Sequence, residues 1–142
     1  MIPSPPSNGL TTKCRCATRQ DWSPPALLLE AAADDDGLII QLIDAFSEDT
    51  DARIERMRRA LAAADFPGIR AEAHTIKGSA SQMGAYAVAE ASRELEMASN
   101  LHEALLVAPW LNRVQELFEE TRGAMASYAD NSKMEPSVDT LV

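Results

Sequence analysis

His74 is one of only two histidines in 142 residues, and it stands in the stretch AEAHTIKGSASQMGAYA. Histidine ordinarily titrates close to neutral pH, so a surface imidazole offers a neutral nitrogen lone pair and is a competent nucleophile. The surrounding residues recur at helical spacing. With roughly 100° per residue, Ile69, Ala73, Ile76, Ala80 and Met83 gather on one apolar stripe, and His74 points about 140° away from its centre. Arg70 at i−4, Lys77 at i+3, Gly78 at i+4 and Ser81 at i+7 share the face of His74. The sequence therefore predicts an exposed imidazole ringed by two cations, a hydroxyl and a missing side chain. Arg70 and Lys77 would stabilise phosphoryl oxygens beside the ring. Gly78 costs a helix about 1 kcal/mol relative to alanine. Its use here would be clearance, because nothing projects over the ring where a partner must approach. Close helix packing is the other use of such a glycine. By residue type alone, phosphoryl chemistry and a plain partner-binding patch remain alternatives.

The elements that must position this face are helical. Alanine, leucine, glutamate and arginine abound while aromatic residues make up only 5%, which favours helices over strands. Hydrophobic residues at 46% and charged residues at 25% fit a globular domain, and the length fits one domain with its own core. Residues 1–25, rich in proline and serine, read as a flexible N-terminal tail, and 131–142 as a flexible C-terminal tail. Between them, 26–130 reads as the domain. A short helical start leads to a helix through Leu38, Leu42 and Phe46. A new helix begins at a Thr50 or Asp51 cap and carries Ile54, Met57, Leu61 and Ala64. Asp65 caps the helix of His74, with Pro67 in its first turn, and Gly84 ends that helix in a left-handed conformation. Tyr86–Ser99 follows with Val88, Ala91 and Leu95 inward, up to Asn100. A last helix starts near Pro109 and carries Leu111, Val114, Leu117, Phe118, Met125 and Tyr128. The expected fold is all-α, an antiparallel up-down-up-down four-helix bundle with an additional short N-terminal helix. Most of the apolar surface is used within one bundle, so a monomer is expected.

Other features exclude function classes. The net charge of −9 disfavours nucleic acid, whose binding depends on neutralising phosphates. No apolar run reaches the roughly 18–20 residues of a membrane span, and no secretory signal is visible, so the expected location is the cytoplasm. Cys14 and Cys16 alone make an incomplete metal site and read as part of the tail. His102 reads as a loop histidine. The acidic runs Asp34-Asp35-Asp36 and Glu48-Asp49 read as helix starts and loops. No phosphate-cradling glycine loop is present, so neither ATP binding nor autokinase activity is expected.

The stretch AHTIKGSASQMGA closely resembles the phosphorylation motif of histidine-containing phosphotransfer domains, roughly A-H-x-L-K-G-S-A-x-x-x-G-A. His74 matches the phosphorylated histidine. Lys77, Gly78 and Ser79 match K-G-S, Gly84 and Ala85 match the later G-A, and Ile76 replaces the common leucine. The resemblance covers about 26–130, and LIDAFSED looks like the family's first helix, which caps one end of the bundle. Several implications follow from it. His74 would take a phosphoryl group from a receiver-domain aspartate and pass it to another receiver aspartate. Glu96 falls where the family often has Gln or Glu, close enough to hydrogen-bond the imidazole. The Mg²⁺ would be supplied by the partner receiver, the chain needing none of its own. Partners would be response-regulator receiver domains, including one on a hybrid sensor histidine kinase. Docking would use Ala71 and Gly78 beside His74, and Leu38, Ile39 and Leu42, which a short helix cannot all bury; the alternative for these three is that they simply cover the bundle end. A receiver-binding docking module without phosphoryl turnover is the alternative. The starting methionine and two loose tails favour a free-standing protein.

Overall fold

A computed structural model describes residues 22–134. Among these residues the secondary structure is entirely helical: α1 (Ala26–Ala31), α2 (Asp36–Ala62), α3 (Phe66–Gln82), α4 (Tyr86–Asn100) and α5 (Ala104–Met134). Helices α2 to α5 run up-down-up-down. Each packs on its sequence neighbour, and α2 against α5 closes the ring, so the expected four-helix bundle with a short N-terminal helix is the observed fold.

Each helix begins and ends for a local reason. The Asp35 carboxylate accepts hydrogen bonds from the Gly37 and Leu38 amides at 2.9 and 3.3 Å, and Asp65 accepts one from Gly68 at 3.0 Å. Both satisfy amides that the first helical turn leaves without a partner. The turns into α2, α3, α4 and α5 share one device, a residue in the left-handed region: Asp34, Ala64, Gly84 and His102 respectively, with Ala33 also left-handed before α2. After Ala33, Ala64, Gly84 and His102 the next amide reaches back five residues: Asp34 to the Leu29 carbonyl (3.0 Å), Asp65 to Ala60 (2.8 Å), Ala85 to Ala80 (2.8 Å) and Glu103 to Ala98 (3.2 Å). This backbone closure caps the orphan carbonyls of the preceding helix. Only Gly84 was expected to adopt it.

Two expected boundaries are absent. Thr50 does not cap a new helix; it lies fully buried inside α2, which runs unbroken for 27 residues. Ile39, Ile43, Phe46, Thr50, Ile54 and Met57 form one continuous buried stripe, while Glu48, Asp49 and Asp51 face outward. Burial of that stripe outweighs the weak helix propensity of S-E-D-T-D, which contains neither glycine nor proline. The stripe also corrects the register: Ile39 and Ile43 point inward, and Leu42 is half-buried. Ala64 likewise lies in the turn rather than on the stripe. Pro109 does not start α5; it sits inside it, on the exposed side. The helix extends back to Ala104 because Val107 and Trp110 are buried in the same core as Leu111 and Val114. The cost of Pro109 is one bond to the Leu105 carbonyl.

The N-terminal boundary also differs from expectation, since Trp22 and Pro25 pack on the domain. The Trp22 indole Nε1–H donates to the Met83 carbonyl at 2.9 Å, and its ring meets Tyr128 edge-on at 5.4 Å. Pro25 covers Gly84, where an added Cβ would lie 2.7 Å from the proline Cγ. Gly84 is thus required twice, by its φ of +75° and by this contact.

Candidate functional site

His74 lies at the middle of α3. Ala73 and Ile76, fully buried on either side of it, lock the helix against the core and aim the imidazole outward. Its side chain is 65% exposed. Small buried residues on the facing surfaces, Ala73 and Ala80 on α3 and Ala89 on α4, let the two helices run close together. That closeness brings Glu96 of α4 to the ring.

His74 Nδ1 lies 3.0 Å from Glu96 Oε2, and Lys77 Nζ lies 3.0 Å from Glu96 Oε1. A carboxylate only accepts, so His74 donates from Nδ1 and its Nε2 carries the lone pair. Glu96 is 19% exposed. Its partial burial favours the neutral acid, but the Lys77 ammonium and the His74 bond overcome this and hold its carboxyl below the ordinary range. The group behind the imidazole is therefore an anion, shared between a histidine and a lysine. The hairpin around Gly84 sets the pairing, with His74 and Glu96 equidistant from Ala85.

The other candidates divide. Arg70, Gly78 and Ser81 are exposed on the face of His74, as the helical spacing predicts. Lys77 is on that face too, but its ammonium is committed to Glu96. Ser79 is turned to the backbone, its hydroxyl donating to the Ile76 carbonyl at 3.3 Å. A Cβ built on Gly78 would meet nothing within 4 Å, so close packing does not explain this glycine. Among the docking candidates, Ala71 is exposed, Leu38 is 38% exposed and Leu42 is half-buried. Ile39 is a correction: it is fully buried, because it belongs to the continuous α2 stripe, and has no surface to offer a partner. His102 is exposed in the α4–α5 turn and stacks on Phe66, with ring centroids 5.3 Å apart. Cys14 and Cys16 lie outside the described residues.

Sequence reasoning did not pair Lys77 with Glu96. The signal that could have found it is the hairpin register, which places both Lys77 and His74 opposite Glu96 once Gly84 is accepted as the turn. It also did not see the second ionic cluster, in which Glu72 of α3 binds Arg53 and Arg56 of α2 at 2.8 and 2.9 Å. The Arg56 hydrogen bond, aided by Arg53 and opposed by burial, holds the Glu72 carboxyl below its ordinary value. This cluster fastens α2 to the motif helix. Among the described residues, no group of three or more His, Cys, Asp or Glu side chains is placed to hold a metal, and no helix is long and apolar enough to cross a membrane.

Three comparisons bear on this geometry. Residues 41–124 match the family model described as Hpt domain. No curated protein matches the chain. Among solved structures, it is similar to the crystal structure of histidine-containing phosphotransfer protein B (HptB) from Pseudomonas aeruginosa PAO1. The TM-score is 0.69 at 27% sequence identity, over 75% of this chain and 90% of that one.

Proposed function

The chain belongs to the Hpt domain family, and from that premise we propose that it carries a phosphoryl group between receiver domains on Nε2 of His74. The observation that carries this reading is the imidazole itself, exposed at its outer nitrogen and held from behind by an anionic carboxylate at 3.0 Å.

The transfer follows from that arrangement. Glu96 holds the proton on Nδ1, which leaves the Nε2 lone pair free to attack the phosphorus of an aspartyl phosphate. A P–N bond forms as the P–O bond to the aspartate breaks, and its electron pair leaves on the receiver's carboxylate. The ring then bears the phosphoryl group on Nε2 and the proton on Nδ1. Its positive charge is stabilised by Glu96, through the bond already made before transfer. For onward transfer, the next receiver's carboxylate attacks phosphorus and the P–N electron pair returns to Nε2. The Mg²⁺ for this chemistry comes with the receiver. No step needs ATP, and the chain acts as a carrier rather than a kinase. Gly78 leaves the approach to the ring open. Ala71, Leu38 and Leu42 supply neighbouring surface for docking, with a receiver on a hybrid sensor kinase as one such partner.

The test is phosphotransfer from Mg²⁺-loaded, phosphorylated receiver domains. Wild type acquires an acid-labile, base-stable label, and His74→Gln acquires none while keeping its helical circular dichroism. Labelling of the His74→Gln variant refutes the site. Tight receiver binding with no label on wild type replaces this reading with the docking module.

A further inference from the structure

Arg70 differs from the other cations of this protein. Every other arginine or lysine whose side chain is described reaches an acidic or amide oxygen. Arg70 alone among the described residues reaches none, although the chain holds 22 acidic residues against 13 basic ones. The local sequence explains this. Its helical neighbours three and four residues away are Phe66, Pro67, Ala73 and His74, and none is a carboxylate. The polar side chain beside it on α3 is His74 itself.

Charge balance at His74 shows what this free guanidinium could do. Phosphorylation adds a group of charge about −2 at neutral pH. It arrives next to Glu96, which is already an anion. Lys77 neutralises that carboxylate at 3.0 Å and is not free for a second anion while the pair holds. On the C-terminal side of the ring, Gly78 and Ser81 bring no charge. Building on the phosphocarrier reading, we infer that the two cations of this face divide the work. Lys77 serves Glu96, and Arg70 binds the phosphoryl oxygens on His74, with the planar fork that suits two of them.

The full chain is treated with phosphoramidate, a small phosphoryl donor that needs no docking surface, as wild type, Arg70→Gln and Arg70→Lys. Labelling rate is measured, and the phosphoryl group's last ionisation is followed by ³¹P NMR. Loss of one charge-assisted contact slows labelling of Arg70→Gln by about tenfold or more. It also moves the phosphoryl ionisation to higher pH, because the dianion loses its cation. Arg70→Lys falls between the two, and circular dichroism is unchanged in all three. A role in folding would not move the ³¹P titration. Labelling and titration of Arg70→Gln that coincide with wild type overturn this inference and leave the carrier intact. Failure of wild type to take label on His74, from phosphoramidate and from phosphorylated receivers alike, overturns the carrier reading and this inference together.

Discussion

At the scale of single residues, Glu96 is the side chain on which the site turns. It orients one ring nitrogen, for which an acceptor oxygen suffices, and pairs with one ammonium, for which its charge is needed. Glu96→Gln keeps an oxygen to accept the Nδ1 proton but gives up the charge. Phosphotransfer then slows by about fivefold, while Glu96→Ala, which loses the acceptor as well, slows it further. Receiver-dependent labelling rates of the two variants check this order. The carboxylate also stabilises the fold. Its folded-state pKa lies below the unfolded value, so the contribution is complete above the ordinary carboxylate range. It disappears as pH falls through the folded value. Urea titrations of wild type and Glu96→Gln should differ by roughly 1 kcal/mol at pH 7 and converge at strongly acid pH.

At the scale of helices, two glycines and one alanine give opposite lessons. Gly78 and Gly123 both sit inside helices with nothing within 4 Å of an added Cβ. Replacing either by alanine therefore raises stability by about 0.5–1 kcal/mol. Only Gly78→Ala slows phosphotransfer, since only that position borders the imidazole, and Gly123→Ala is its matched control. Thermal midpoints and labelling rates on the same samples separate the two effects. Ala64, exposed with φ +55°, holds the α2–α3 turn in a conformation that disfavours a Cβ. Ala64→Gly should stabilise the fold by about 1 kcal/mol, read as a shifted urea midpoint at unchanged slope.

At the scale of the whole molecule, the N-terminal segment is a strap across the end of the bundle. Trp22 joins the α3–α4 turn, through the Met83 carbonyl, to α5 through Tyr128. Tyr128 in turn donates to Asp36 at the start of α2 (3.3 Å). One end of three helices is thus tied by a residue that composition alone assigns to a tail. Trp22→Ala loses a half-buried indole and its hydrogen bond, at about 2 kcal/mol. The same substitution should leave the labelling of His74 within twofold of wild type, because the strap grips the Gly84 end of α3 rather than its middle.

What was legible in the sequence is what repeats locally. The apolar stripe of α3 needed only 3.6-residue periodicity, and Ile69, Ala73, Ile76, Ala80 and Met83 are all buried as it requires. The outward face of His74, the cap at Asp65 and the turn at Gly84 are equally local. Pairings between helices were less accessible, because they depend on register, which the turns and the packing of small residues set together. So it took the tertiary structure to give one carboxylate to both His74 and Lys77, to bury Ile39 and Thr50 along one unbroken helix, and to leave Arg70 without a partner. Periodicity says which way a side chain points; only the packed bundle decides what it meets there.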